Sequence, residues 1–519
     1  MKPTRPKPKN IAEHFPPSMT PRPGQLEALR QIDAAFKEGK RYFVYEGPTG
    51  AGKSAVAKAV LNAYGTGVIT APLNTLVTQY AADDKLAPLP AVRGMGTYQC
   101  RAFAKPHFHP TCEEANAAAG WKAHTERCSD YIVARSVFWQ SPQSVTNLHY
   151  LYYAPVIEGA CWPRRVLVVD EAHNLEESLI SMGRRTISPK RVSEIKAKLY
   201  EFPGKRDKEL LDTSQVANWL AYFSGALADA IKKLENIPGE VASKERGRLS
   251  SLREGVEFVL NCGDWIAWLD TKWQARVLNI TPMSAIRPAH KLFRGFDHVL
   301  LTSATMGSIP LFLSGLEIAE SQAEVYRAPC EFPAKNRPIL YRSRGSLAKK
   351  AGEAGFDSIV ASIREVLRKH EGDRGIVHCH SNALRDRLHA NLSPDFGTRI
   401  ITHGVKQDRD AGVQRLRMSR NGVLLSVAMT EGLDLRDDDA RFCIIAKVPW
   451  PDMGDPYVQE RMRRDGDWYA NQAALAVVQS SGRVVRHAAD HAETYIFDSS
   501  FGRLVGQATF PEWWLEAWS

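Results

Sequence analysis

The segment that most constrains this chain is GPTGAGKS, Gly47 to Ser54, because a glycine-rich stretch of this kind requires a strand before it and a helix after it. Tyr42 to Tyr45 is a short β-prone run ahead of it, and Ala55 to Tyr64 is a helix-competent stretch behind it. In such a loop the backbone around Gly47, Thr49, Gly50 and Gly52 cradles nucleotide phosphates, Lys53 reaches the terminal ones, and the Ser54 hydroxyl ligates magnesium. A second motif, VVDEAH, ends at His173. Its apolar run, Val166 to Val169, reads as a buried parallel strand that delivers Asp170 to the metal and Glu171 to the attacking water. Each motif has an ordinary reading, a chance glycine pattern or an acidic strand end, which the flanking elements and the order of the two outweigh. Together they predict ATP hydrolysis.

The 519 residues suffice for roughly three or four domains. A hydrophobic content of 44% with no apolar run of membrane-spanning length predicts a soluble protein. The N-terminal MKPTRPKPKN is charged and has no apolar core, so residues 1–19 read as a disordered basic arm rather than an export signal, and a cytoplasmic location is expected. Lys and Arg number 68 against 58 Asp and Glu, a balance that favours a polyanionic partner. Eight cysteines in so long a chain do not make a disulfide scaffold.

The second half repeats the architecture without the phosphate loop. Gly375 to His380, Gly422 to Val427 and Arg441 to Val448 read as strands, and Ser381 to Leu392 and Asn471 to Ser480 as helices, which predicts a second parallel, doubly wound sheet. QSSGRVVR places Gln479, Arg483 and Arg486 at spacings of four and three. If helical, they share a face and could direct two guanidiniums across a cleft at the γ-phosphate; the plainer reading is a solvated basic helix. His378, His380 and Asp498 could be imagined as nuclease ligands, but histidines within or ending a strand read as structural.

These segments carry a resemblance. GPTGAGKS, DEAH, SAT at Ser303 to Thr305, TEGLDL at Thr430 to Leu435 and QSSGRVVR stand in the order of motifs I, II, III, V and VI of superfamily 2 helicases, and RPGQ resembles the preceding segment whose glutamine, here Gln25, reads adenine. GTYQC (Gly96 to Cys100), CSDYIVAR (Cys128 to Arg135), VTNLHYL (Val145 to Leu151) and VPWPDMGDPY (Val448 to Tyr457) narrow it to the XPD/DinG branch. The resemblance implies two RecA-like motor domains and ATP-dependent translocation on single-stranded or forked DNA with 5′-to-3′ polarity. It also implies coupling between nucleotide and strand through His173, Ser303, Thr305, Gly432 and Asp434. A translocase with little unwinding, an accessory motor of a larger assembly and an RNA helicase share the same motor and stay open. A monomeric motor is expected, serving a repair, phage or CRISPR-linked assembly, and with Gln25 so near the first residue no appended nuclease domain is expected.

Residues 55–169 are too many for a simple crossover. In the resembled branch this interval holds an iron–sulfur domain with four cysteine ligands, but here it supplies Cys100, Cys112 and Cys128 and no fourth. His109 or His124 could complete the set, for a 4Fe–4S cluster or for zinc, and loss of the metal is the third alternative. Cys161 lacks partner spacing. The branch also inserts a helical arch after DEAH, and Val192 to Tyr200, Val216 to Leu234 and Leu249 to Leu260 read as its amphipathic helices. Trp219, Tyr222, Phe223, Trp265, Trp268 and Trp273 there could stack on bases but read as core. The expected division is an arm (1–19), a first motor domain in three pieces (20–95, 136–175, 292–330), the iron–sulfur-type insertion (96–135), the arch (176–291) and a second motor domain (331–519).

Overall fold

Two all-parallel sheets dominate the chain, as the alternation of apolar strands and amphipathic helices predicts. A computed structural model describes residues 10–103, 111–113, 115, 130–153, 164–202, 206–235, 237, 240–272, 275–347, 352–403, 409–427, 435–482, 484–485 and 487–519.

The first sheet contains β1 (Tyr42–Glu46), β2 (Gly67–Ala71), β3 (Ala91–Val92), β4 (Gln143–Asn147), β5 (Val166–Asp170), β9 (His298–Ser303) and β10 (Ala323–Arg327). Its order is β10-β1-β9-β5-β2-β4-β3. β1, β2, β5 and β9 are buried along their whole length, which explains why they read as continuous apolar runs rather than alternating ones. In register, Glu46 pairs with Ser303 and Asp170 with Thr302, so the polar residues of three strands emerge at one edge. The helix after the phosphate loop, Lys53–Tyr64, buries Val56, Ala57, Val60 and Leu61.

The second sheet has the order β11-β16-β15-β12-β14-β13. Its strands are β11 (Ile339–Gly345), β12 (Gly375–His378), β13 (Ile400–Thr402), β14 (Val423–Ser426), β15 (Phe442–Ile445) and β16 (Glu493–Asp498). Helices Asn382–Phe396 and Gly466–Ser481 stand where the sequence places them, each begun by a side-chain cap, Ser381 and Asp465 respectively.

Two expectations need correction. Residues 10–19 are not a disordered arm: Ile11–His14 forms a 3-10 turn capped by Asn10, and Ile11 is wholly buried. Between residues 176 and 291 the chain is not purely helical either. Helices Thr213–Glu235 and Glu240–Cys262 pair, the second beginning nine residues before the expected Leu249, but β6 (Arg185–Ile187), β7 (Trp265–Lys272) and β8 (Ala275–Pro282) form an antiparallel sheet of order β6-β8-β7. The helix expected over Val192 to Tyr200 is Pro189–Glu194 instead; it ends before Lys196, whose φ of 56° leaves the helical region. Tyr200 turns back so that its hydroxyl donates to the carbonyls of Ile187 and Arg276, 3.1 and 2.6 Å away. Trp265 and Trp268 are buried in β7 and Trp219 stacks on the buried Phe223, so these aromatics are core; Tyr222 is exposed instead, and Trp273 lies outside the described residues.

Candidate active site

The phosphate loop is braced from behind. Gly52 has a φ of 76°, and a β-carbon there would lie 2.1 Å from Gln25 Nε2, so both backbone and space require glycine. Gln25 is buried, accepts a hydrogen bond from the Arg22 amide at 2.9 Å and donates to the Gly52 carbonyl at 3.3 Å. Arg22 donates to the Gly50 carbonyl at 2.6 Å and pairs with Glu331 at 3.0 Å. Lys53 folds onto its own loop, donating to the Gly47 carbonyl at 2.9 Å. The Gly47 amide in turn donates to the Ser303 carbonyl at 2.9 Å, tying the loop to the end of β9.

Asp170 lies beside this loop, buried at the end of β5. Thr302 donates to its Oδ1 and the Tyr80 hydroxyl to its Oδ2, each at 3.0 Å. Burial, and then the charge of Glu171, push the Asp170 carboxyl above its ordinary range; Lys53, Thr302 and Tyr80 oppose the shift. Tyr80 also hydrogen-bonds Ser54, so one phenol touches both expected magnesium ligands. That donor set, a hydroxyl and a carboxylate gathered around one point, fits a hard divalent cation.

Glu171 has a φ of 50° and ψ of 45°, an arrangement that costs a non-glycine residue on the order of 1–3 kcal/mol. The turn throws its carboxylate toward His173 and Ser303. His173 Nδ1 lies 2.7 Å from Ser303 Oγ, and each lies 3.5 Å from Glu171 Oε2. Thr305 is buried just beyond, its Oγ1 accepting from the Gly307 amide at 3.1 Å. Sequence reasoning missed Tyr80, Thr302 and Glu46. Glu46 ends β1, is buried, and accepts from the Met306 amide at 2.9 Å; burial raises its carboxyl above the ordinary range.

The second sheet faces this site through the helix Gly466–Ser481. Gln479 is buried near its end, and Gly482 comes up against Thr49 of the phosphate loop. Arg483, Arg486, Gly432 and Asp434 lie outside the described residues.

Three of the segments that narrow the resemblance meet in one groove of about 640 Å3. GTYQC contributes Gly96 and Thr97, CSDYIVAR contributes Tyr131, and VTNLHYL contributes Asn147, His149 and Tyr150. The groove opens beyond the carboxyl ends of β2 and β4, where parallel sheets bind ligands. Burial lowers the His149 pKa and so favours a neutral ring. Cys100 and Cys112 are buried nearby in one apolar cluster with Tyr131, on segments joined by an antiparallel bridge between Gln99 and Thr111. Thiols are the ligand type a soft metal centre takes, and two of the three expected ones lie on these joined segments; Cys128, His109, His124 and Cys161 lie outside the described residues. His378, His380 and Asp498 form no ligand cluster among the described residues. Asp498 is used by the Val448 and Ser500 amides, at 2.9 and 3.0 Å.

Comparison with known proteins agrees with this geometry. The family described as helicase C-terminal domain matches residues 363–517. The ATP-dependent DNA helicase chl1 of Schizosaccharomyces pombe is 30% identical over 154 residues, 25% of this chain and 18% of that protein. The ATP-dependent DNA helicase YoaA of Escherichia coli is 25% identical over 284 residues, 52% of this chain and 43% of that protein. The chain thus spans less than half the length of these curated relatives. A solved XPD helicase structure superposes with a TM-score of 0.64 at 14% identity, covering 96% of this chain and 98% of the other, a likeness of fold. No helix among the described residues is long and apolar enough to cross a membrane. The matched C-terminal domain, the shared fold and the ordered motifs make this chain similar to XPD/DinG-type helicases of superfamily 2.

Proposed function

We propose that the chain is an ATP-driven DNA helicase that moves 5′-to-3′ along single-stranded DNA and opens forked duplexes. The observation that carries this reading is the juxtaposition of the phosphate loop, the buried Asp170, and the Glu171, His173 and Ser303 cluster at one edge of the first sheet, beside the helix that bears Gln479. ATP sits between the two sheets, Lys53 leaves the Gly47 carbonyl for the terminal phosphates, and Gly47, Thr49, Gly50 and Gly52 line them. A magnesium ion held by Ser54 and, through water, by Asp170 would neutralise charge on the β- and γ-phosphate oxygens. Glu171 takes the proton of the attacking water, and His173 and Ser303 hold its carboxylate in place. Arg483 and Arg486 reach the γ-phosphate from the second motor domain, so that hydrolysis and domain closure depend on each other.

One DNA strand runs along this groove, where Tyr153, the exposed aromatic of its lining, offers a stacking face that any base can use. Residues 96–135 act as a metal-stabilised insertion with Cys100, Cys112 and Cys128 as thiolates and His109 or His124 as the fourth ligand, and residues 176–291 act as the arch above the strand. A 4Fe–4S cluster or zinc there would clasp the insertion. The protein works as a cytoplasmic monomer on DNA.

Glu171→Gln should lower ATP turnover by about 10²–10⁴-fold, the usual contribution of a general base, while nucleotide binding persists. Normal turnover in that variant would sink the assignment. Strand separation on duplexes with a single 5′ or a single 3′ tail tests polarity. ATPase stimulated by RNA as strongly as by DNA, or stimulation without strand separation, would replace the helicase reading by an RNA motor or a translocase.

A further inference from the structure

From the last residue of β9 to the start of the next helix, the six residues Ser303–Ser308 connect the nucleotide side of the molecule to the helix Gly466–Ser481. At one end the Ser303 carbonyl accepts from the Gly47 amide at 2.9 Å, and Ser303 Oγ meets His173 Nδ1 at 2.7 Å. In the middle the Met306 amide donates to Glu46 Oε2 at 2.9 Å. At the far end the Ser308 amide donates to Asn471 Oδ1 at 2.7 Å. Asn471 belongs to the helix Gly466–Ser481, 163 residues away in sequence and eight residues before Gln479. Eight helical residues span about 12 Å.

The fit around this contact is close. Gly307 has a φ of 66°, and a β-carbon there would lie 2.3 Å from Asn471 Oδ1. Thr305 and Met306 are nearly inaccessible and Asn471 is buried, so water cannot readily take the place of the lost partner. A rigid helix gripping a loop at one end and presenting Gln479 at the other turns loop position into cleft geometry.

We propose that Asn471 is a positioning residue that couples the loop Ser303–Ser308 to the helix carrying Gln479, with Glu46 as the fixed anchor on the opposite side. The inference rests on the ATP-motor reading. Because Glu46 of the first sheet and Asn471 of the helix Gly466–Ser481 hold amides two residues apart, a shift of that helix moves Ser308 against Met306. Ser303, at the root of the same loop, then moves against His173 and Glu171. The contact therefore acts on how strongly DNA stimulates hydrolysis rather than on how tightly ATP is held.

The test measures kcat and KM for ATP with and without single-stranded DNA, together with ATP consumed per base pair opened on a forked duplex. It compares the full chain with Asn471→Ala, Asn471→Leu and Asn471→Asp, the last of which keeps an acceptor oxygen at the same place. Loss of one neutral hydrogen bond corresponds to about a three- to tenfold change. DNA-stimulated kcat should fall by that factor in the Ala and Leu variants, with KM for ATP within about twofold and more ATP spent per base pair; Asp should recover most of the stimulation. Unchanged stimulation in both Ala and Leu overturns the proposal. So does an equal fall with and without DNA, or a fall that Asp does not rescue, since either marks a merely structural role. An unaltered chain with no DNA-stimulated hydrolysis at all overturns the motor reading instead.

Discussion

The two parallel sheets end in buried carboxylates that are put to opposite uses. Asp498 closes β16 and gives its two oxygens to the Val448 and Ser500 amides, fixed backbone donors that satisfy it in place. Asp170 closes β5 with one backbone donor, the Glu171 amide at 3.0 Å, but also with two side-chain hydroxyls, Thr302 and Tyr80, and a second carboxylate, Glu171, as its neighbour. Burial of an acid therefore does not mark a site; the kind of partner does. A carboxylate held by backbone amides alone is locked into the fold, whereas one that also draws on hydroxyls, which can turn away, stays available to a cation.

Exchanging these acids would break or sharpen the contrast. Asp170→Asn should lower ATP turnover on the order of 10³-fold with the melting temperature little changed, while Asp498→Asn should leave kcat within about twofold and cost roughly 1–3 kcal/mol of stability. Matched turnover assays and thermal melts check both, and similar behaviour in the two variants would erase the distinction. A smaller effect is expected at Tyr80, which touches the metal ligands without being one. Tyr80→Phe should raise the magnesium concentration for half-maximal turnover about 10-fold, read from a magnesium titration at saturating ATP.

A separate effect concerns the second sheet alone. Burial, with a further push from Lys447, lowers the His380 pKa from 6.5 to about 4. The unfolded chain thus binds a proton that the folded chain refuses. Stability from this site is full above pH 6.5 and is lost as pH falls from there toward 4, by at most about 1.4 kcal/mol per pH unit. Denaturant melts of the wild type and His380→Gln across that range should differ in slope; parallel curves would show that the imidazole is solvated.

Much of the first sheet was legible because its signals are local. The loop Gly47–Ser54 and the strand ending at Asp170 carry their chemistry within a few residues, and the strands are apolar from end to end. Tyr80, Thr302 and Glu46 were not legible, since each matters only through a partner 90 to 260 residues away. The sheet of β6, β7 and β8 escaped for another reason. Trp265 to Leu269 is buried on both faces, so it shows no alternation, and its tryptophans resemble the core of a helix. The loop contact of Asn471 joins residues 163 apart and has no motif of its own.

Ile11 gives the nucleotide site a foundation outside every motif. It is wholly buried in the cluster that holds Val56 and Leu61 of the helix after the phosphate loop, and Asn62 of that helix donates to the His14 carbonyl at 3.1 Å. The turn is thus a strap across the back of the helix on which the loop pivots. Trimming residues 10–14 would uncover an apolar face on the nucleotide-binding helix, and the damage would surface as poor solubility and weakened ATP affinity in a protein whose motifs are all intact.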